Sequence, residues 1–141
     1  MAVALAGREG SMAKATRIHA AGVGRLPVFS HAVRAGEFLF LSGMLGTRES
    51  SFELVEGGVG AETRQALENL GRILTAAEAG FEDLVNLKVF LVDMTRFGEM
   101  NEAYAAFFPT EPPSRITVGC SALALGAAVE IEGVAYLPRE R

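Results

Sequence analysis

The spacing of apolar and polar residues changes several times along the 141 residues, and each change predicts an element. Ala15–His19 reads as a short strand running into a glycine-containing loop. Two further strands, one around Ser30–Arg34 and one at Glu37–Leu41, are punctuated at Ala35-Gly36 and predict a hairpin. Glu37–Leu41 is apolar after its first residue, which predicts a central strand buried on both faces. Met44–Gly60, rich in Gly, Ser and Glu, reads as a surface loop.

Within Gly60–Gly80, Ala66, Leu67, Leu70, Ile73, Leu74 and Ala77 recur at helical spacing. Glu62, Arg64, Glu68 and Arg72 fall largely on the opposite, solvated face, and Gly80 is the expected stop. Asp83–Met94 is dense in β-branched and apolar residues and predicts a core strand. A second helix follows, with Phe97, Met100, Tyr104 and Phe107 along one stripe; it must end before Pro109. Arg115–Cys120 and Ala127–Leu137 predict two closing strands.

This order predicts an α+β fold, a mixed β-sheet with two helices packed on one face. The pair Phe38 and Phe40 and the pair Val129 and Ile131 cannot both face the same helices, so a second apolar sheet face needs a cover. Oligomerisation supplies one, because so short a chain has no further segment to do it.

Composition narrows the classes. Half the residues are hydrophobic and 21% are charged, the balance of a soluble globular protein, and no apolar run approaches the roughly 20 residues of a bilayer span. The N-terminus lacks the cationic start and longer apolar region of a secretory signal. Met12 opens a second plausible start, so residues 1–12 are expected to form a disordered extension to a single domain at 13–141. A net charge of −4 argues against a dedicated nucleic-acid binder. The lone Cys120 permits no intrachain disulfide and points to a reducing cytoplasm. With two histidines and one cysteine at unrelated spacings, no metal site is expected.

Polar residues inside apolar strands carry the candidate chemistry. Glu130 lies between Val129 and Ile131 and shares a strand face with Glu132. Arg115 opens the preceding strand, and a short Leu/Ala/Gly connection allows the two strands to pair antiparallel. That pairing brings Arg115 near Glu130, or near the Glu130 of a neighbouring subunit. On spacing alone a structural salt bridge has the stronger claim. The alternative is a small-molecule site, in which the guanidinium fork binds a substrate carboxylate and a nearby carboxylate orients water. Cys120 reads as a small buried hydrophobe.

The segments FSHAVRAGEFLFLSG, FGEMNEAYAAFF, PPSRITV and VEIEGVAY, with the long stretch from Glu62 to Met94, resemble the RidA/YjgF reactive-intermediate deaminase family in order and spacing, from about Ala15 onward. The resemblance implies a chorismate-mutase-like homotrimer with its sites in clefts between subunits. It implies cofactor-free hydrolysis of enamine or imine intermediates of amino acids to 2-oxo acids and ammonia. By this likeness Arg115 matches the substrate-carboxylate arginine and Glu130 the glutamate of the hydrolytic water. Ser42 and Gly43 match the pair that lines the cleft, Asn101 the asparagine of the second helix, and Thr117 a position whose backbone faces the ligand. Three residues depart from the family pattern. Phe29 stands where a tyrosine is common, and His31 and Met44 stand in place of glutamines. Phe29 and Met44 imply a more apolar pocket; His31 either adds a titratable group or is a strand residue with a satisfied ring, the latter having the stronger claim. Two rival classes remain: a non-catalytic trimeric module that binds small carboxylates, and, more weakly, a ribonuclease.

Overall fold

The computed structural model describes residues 14–139; the expectation of disorder over residues 1–12 lies outside them. Six strands form one sheet: β1 (Thr16–Ile18), β2 (Ala32–Ala35), β3 (Phe38–Leu45), β4 (Leu84–Leu91), β5 (Ser114–Gly119) and β6 (Val129–Tyr136). Helix α1 (Val59–Ala76) connects β3 to β4, and α2 (Phe97–Ala105) connects β4 to β5. The sheet order is β1-β2-β3-β6-β4-β5, antiparallel throughout except for the parallel pair β4/β5. The α+β architecture with two helices is therefore as the periodicities predict, and no helix among the described residues is long and apolar enough to cross a membrane.

The core lies between the helices and one sheet face. Leu39, Leu41, Leu87, Val89, Leu91, Val129 and Ile131 are buried from the sheet, and Ala66, Leu67, Leu70, Ile73, Leu74 and Met100 meet them from the helices. The 3.6-residue period of α1 and the two-residue period of the strands point these side chains at one another.

The remaining face of the sheet departs from expectation. Glu37–Leu41 is not buried on both sides: Leu39 and Leu41 lie under the helices, whereas Phe38 and Phe40 are 44% and 50% exposed on the other face. The spare apolar face is thus Phe38 and Phe40, with Tyr136 stacked 5.5 Å from Phe38, while Val129 and Ile131 go to the helices.

Three local readings are corrected. The expected loop from Met44 begins as strand, because β3 runs on to Leu45. Glu62 does not sit on the solvated face of α1: it is only 7% exposed, and its Oε1 accepts a hydrogen bond from the Ala128 backbone N–H at 2.9 Å. That bond ties the start of the helix to the approach to β6. Finally, α1 stops before Gly80. Glu78 adopts the left-handed conformation (φ 59) more often given to glycine, and the Ala79 N–H closes the turn on the Leu74 carbonyl.

Candidate active site

The largest correction concerns Arg115 and Glu130. Their strands do not pair: β5 adds to β4 in parallel, and β4 separates it from β6. Arg115 lies opposite Leu87, which faces the helices, whereas Glu130 lies opposite Phe90 and Leu45 on the other face. Two strand spacings and a three-residue offset put their Cα atoms about 14 Å apart. Within one chain the two groups occupy opposite faces of the sheet, so the candidate residues fall into two halves.

The first half is built on β5 and α2. β5 is the edge strand, so Arg115 emerges at the rim of the core, half-buried. Its guanidinium carbon lies 4.7 Å from the centroid of the Tyr104 ring and 5.7 Å from that of Phe97. Aromatic faces stabilise a guanidinium while leaving its in-plane N–H fork free to bind an anion. No carboxylate pairs with Arg115 among the described residues, which removes the structural salt bridge inside this chain. Asn101 is half-buried on the same stripe of α2 as Phe97 and Tyr104, four residues after one and three before the other. Thr117, two residues along β5, shares the face of Arg115, and its buried hydroxyl has no hydrogen-bond partner. Burial raises the Tyr104 phenol above its usual pKa, and the Arg115 charge opposes that rise. This half offers a cation and spare polar groups, the composition of an anion-binding edge.

The second half is built on β3 and β6. Between Leu41 and Met44 the register slips: Leu41 faces Gly133 but Met44 faces Ile131, so β3 carries one extra residue at Ser42–Gly43. A bulge of this kind inverts the alternation beyond it. Met44 consequently turns into the core, 5% exposed, and Leu45 turns to the open face. Met44 therefore does not make the pocket more apolar as expected; Leu45 does. At the bulge the Ser42 hydroxyl donates to the Ser30 carbonyl at 2.6 Å, and the Ser42 N–H donates to the His31 carbonyl at 2.9 Å. Gly43 is needed for close approach, because a Cβ there would collide with Glu130 Oε2.

Glu130 faces a cleft of about 500 Å³ whose lining includes Phe29, Ser42 and Gly43, all expected, and Leu26, Leu45, Phe52 and Leu125, which sequence reasoning did not single out. Phe52, a large apolar residue isolated in a polar loop, was the one signal available in the chain. Burial raises the Glu130 carboxyl above the ordinary carboxylate range, and the charge of Glu132 on the same face adds to the shift. Glu132 itself pairs with Lys88 at 3.2 Å, leaving Glu130 as the titratable group of the cleft.

His31 belongs to neither half. It is fully buried, its Nδ1 accepts from the Ala20 N–H at 2.9 Å, and its Nε2 donates to the Gly24 carbonyl at 2.8 Å. Those partners require the neutral tautomer and make it a structural residue that anchors the 20–24 loop to β2. Among the described residues no cluster of three His, Cys, Asp or Glu side chains is placed to hold a metal ion.

Comparison with known proteins places these halves in context. The family model described as endoribonuclease L-PSP matches residues 21–137. The 2-iminobutanoate/2-iminopropanoate deaminase of Mus musculus is 43% identical over 107 residues, covering 76% of this chain and 79% of that protein. The crystal structure of RidA from the Antarctic bacterium Psychrobacter superposes with a TM-score of 0.82 at 32% identity, covering 86% of this chain and 99% of that one. E. coli TdcF, crystallised with bound serine, superposes with a TM-score of 0.80 at 27% identity, covering 86% of this chain and 98% of its own. The chain belongs to the endoribonuclease L-PSP family, also called YjgF/RidA.

Proposed function

We propose that this protein hydrolyses enamine and imine intermediates of amino acids to 2-oxo acids and ammonia, at a site completed between two copies of the chain. The observation that carries the reading is the separation of Arg115 and Glu130 on opposite sheet faces, each lacking the partner its chemistry calls for. A second copy docked on the open, aromatic face brings the Arg115 edge of one chain to the Glu130 cleft of the other. Three copies closing around an axis would cover every such face, in keeping with the trimer implied by the resemblance. The names of the mammalian and bacterial relatives support the reaction, and the serine bound to TdcF supports a small amino-acid-like ligand. The lone cysteine is in keeping with a reducing, cytoplasmic setting.

The chemistry follows from the groups present. Arg115 binds the substrate carboxylate through its in-plane fork, with the Tyr104 and Phe97 rings holding the guanidinium. Asn101 and Thr117 supply further polar contacts to the same end. Glu130 takes a proton from water as the oxygen attacks the C=N carbon, forming a tetrahedral aminohydrin. It then returns that proton to nitrogen, and as the C–N bond breaks the hydroxyl group gives up its own proton to solvent, so that ammonia leaves and the 2-oxo acid remains. An enamine first takes a proton from solvent at its β-carbon to become the protonated imine, the form that water attacks. A carboxyl whose pKa is raised by burial is a stronger base than an ordinary exposed glutamate and is still acidic enough to return its proton to a basic nitrogen, which suits a group that must do both. Because the imine is already reactive, positioning and one proton shuttle suffice. No cofactor enters this scheme.

Release of ammonia and 2-oxo acid from freshly generated short-chain imines tests the reaction. Arg115→Ala is expected to lower kcat/KM by on the order of a hundredfold, the loss of a charge-assisted two-bond clamp. Mixing the Arg115→Ala and Glu130→Ala chains under exchange conditions should restore part of the activity, since some interfaces then hold both intact halves. Wild-type-like turnover by Arg115→Ala sinks the assignment, and failure of the mixed assembly sinks the shared site. Tight carboxylate binding with no ammonia release would instead identify a binding module. A ribonuclease reading finds no support in this cleft, since His31 is committed to the fold and the net charge is −4.

A further inference from the structure

The Glu130 cleft has a wall for which the hydrolysis itself has no use. Leu26, Phe29, Leu45, Phe52 and Leu125 form it, and all but Leu45 sit in connecting segments and stay outside the core cluster. Leu125 is the most telling. It is 54% exposed, and its backbone is left-handed (φ 61, ψ 13), directly before Gly126 at φ 70. Residues with a Cβ avoid that conformation, and a loop needing only the turn would carry Gly or Asn there. Strain held at a cleft points to a role for the side chain it presents.

The wall also lacks polar recognition. Among the lining residues the Ser42 hydroxyl is committed to the Ser30 carbonyl, and the only charge is Glu130. With the substrate carboxylate on Arg115 and the C=N carbon beside Glu130, the substituent left to occupy the wall is the amino acid's own side chain. A methyl group leaves most of it unfilled. An acidic or hydroxylated chain would bury groups with no partner, and an acidic one would also face Glu130.

We propose that this wall is the side-chain subsite, that the preferred substrates are imines derived from branched-chain and aromatic amino acids, and that Leu125 is a specificity-determining residue. The proposal rests on the deaminase reading above. Each methylene buried against such a wall is worth about fourfold in affinity, so an isobutyl or benzyl group should gain on the order of tenfold over methyl even with partial burial.

The test generates imines in place with an amino-acid oxidase from leucine, phenylalanine or alanine and follows their hydrolysis against semicarbazide trapping. Binding of 4-methyl-2-oxopentanoate and of pyruvate is measured alongside by calorimetry. Leucine- and phenylalanine-derived imines should be hydrolysed about tenfold faster or more than the alanine-derived one, and 4-methyl-2-oxopentanoate should bind correspondingly tighter than pyruvate. Leu125→Gly should shrink both ratios severalfold while melting no lower than the parent, since glycine relieves the left-handed strain; Phe52→Ala should shrink them too. Equal rates for all three imines, a preference for alanine, or ratios unmoved in Leu125→Gly would overturn the subsite while leaving the deaminase intact. If no imine is turned over, the deaminase reading falls, and the binding ratio still decides the wall: a value near one overturns it as well.

Discussion

Leu39 and Phe40 are neighbours in β3 and lie on opposite faces of the same sheet. Leu39 is fully buried under α1 amid aliphatic side chains. Phe40 is half exposed on a face that also carries Phe38, Tyr136, Glu130 and the Lys88–Glu132 pair. The covered face is close-packed by this chain's own helices and takes its composition from that task. The open face combines aromatic rings with charges, as a surface does that is dry at its centre and functional at its rim. The first face makes the fold; to the second, together with the Arg115 edge, the proposed reading assigns the activity.

Substitutions at the two faces should therefore fail in different ways. The largest effect on stability is expected from Leu39→Ala, which leaves a cavity between sheet and helices and should cost about 2–5 kcal/mol in denaturant unfolding. A cost below about 1 kcal/mol would mean that the covered face is not the chief source of stability. Phe40→Glu, one residue along, should leave the circular dichroism spectrum native. Sedimentation should then report single chains, with deaminase activity lost because the halves no longer meet. A fully assembled Phe40→Glu protein would contradict the role given to the open face.

Gly43→Ala sharpens the comparison within the open face. The added methyl must displace the Glu130 carboxylate, so turnover should fall by about tenfold or more with little change in melting temperature. Loss of the fold instead would show that the bulge, and not the carboxylate, is what Gly43 protects. The smallest effect concerns Glu130 itself. Its folded-state pKa is raised, so the folded chain holds that proton more readily than the unfolded chain does. The group therefore works against folding once the pH rises past the ordinary carboxylate value, and the penalty disappears below it. Glu130→Gln should give a small gain in melting temperature at pH 7 that vanishes near pH 4, alongside the loss of activity. The same raised pKa should place the acid limb of the wild-type pH–rate profile above the range of a free glutamate.

Much of this architecture was legible in the chain. The periods of Ala66–Ala77 and of Phe97–Phe107 located both helices, and the β-branched runs located β4, β5 and β6. Phe38 and Phe40 announced a second apolar face, and the likeness to a known family brought Arg115, Glu130, Ser42, Gly43, Asn101 and Thr117 forward together. Glu62 was misread because helical periodicity assigns a face but cannot see that the Ala128 N–H arrives there from a distant segment. His31 stood between two readings until its two ring partners, both backbone groups of the 20–24 loop, were in view.

By itself, then, the sequence determined what depends on local period and residue chemistry: where the helices and strands run, which apolar helix stripes enter the core, and which side chains are able to bind a carboxylate or carry a proton. Tertiary structure alone decided what depends on neighbours. The insertion of β4 between β6 and β5 separates Arg115 from Glu130, because strand order follows from packing the crossover helices and leaves no trace in spacing. The one-residue bulge at Ser42–Gly43 exchanges Met44 for Leu45 at the cleft, because a period of two inverts whenever a single residue is added and nothing in the composition marks the addition.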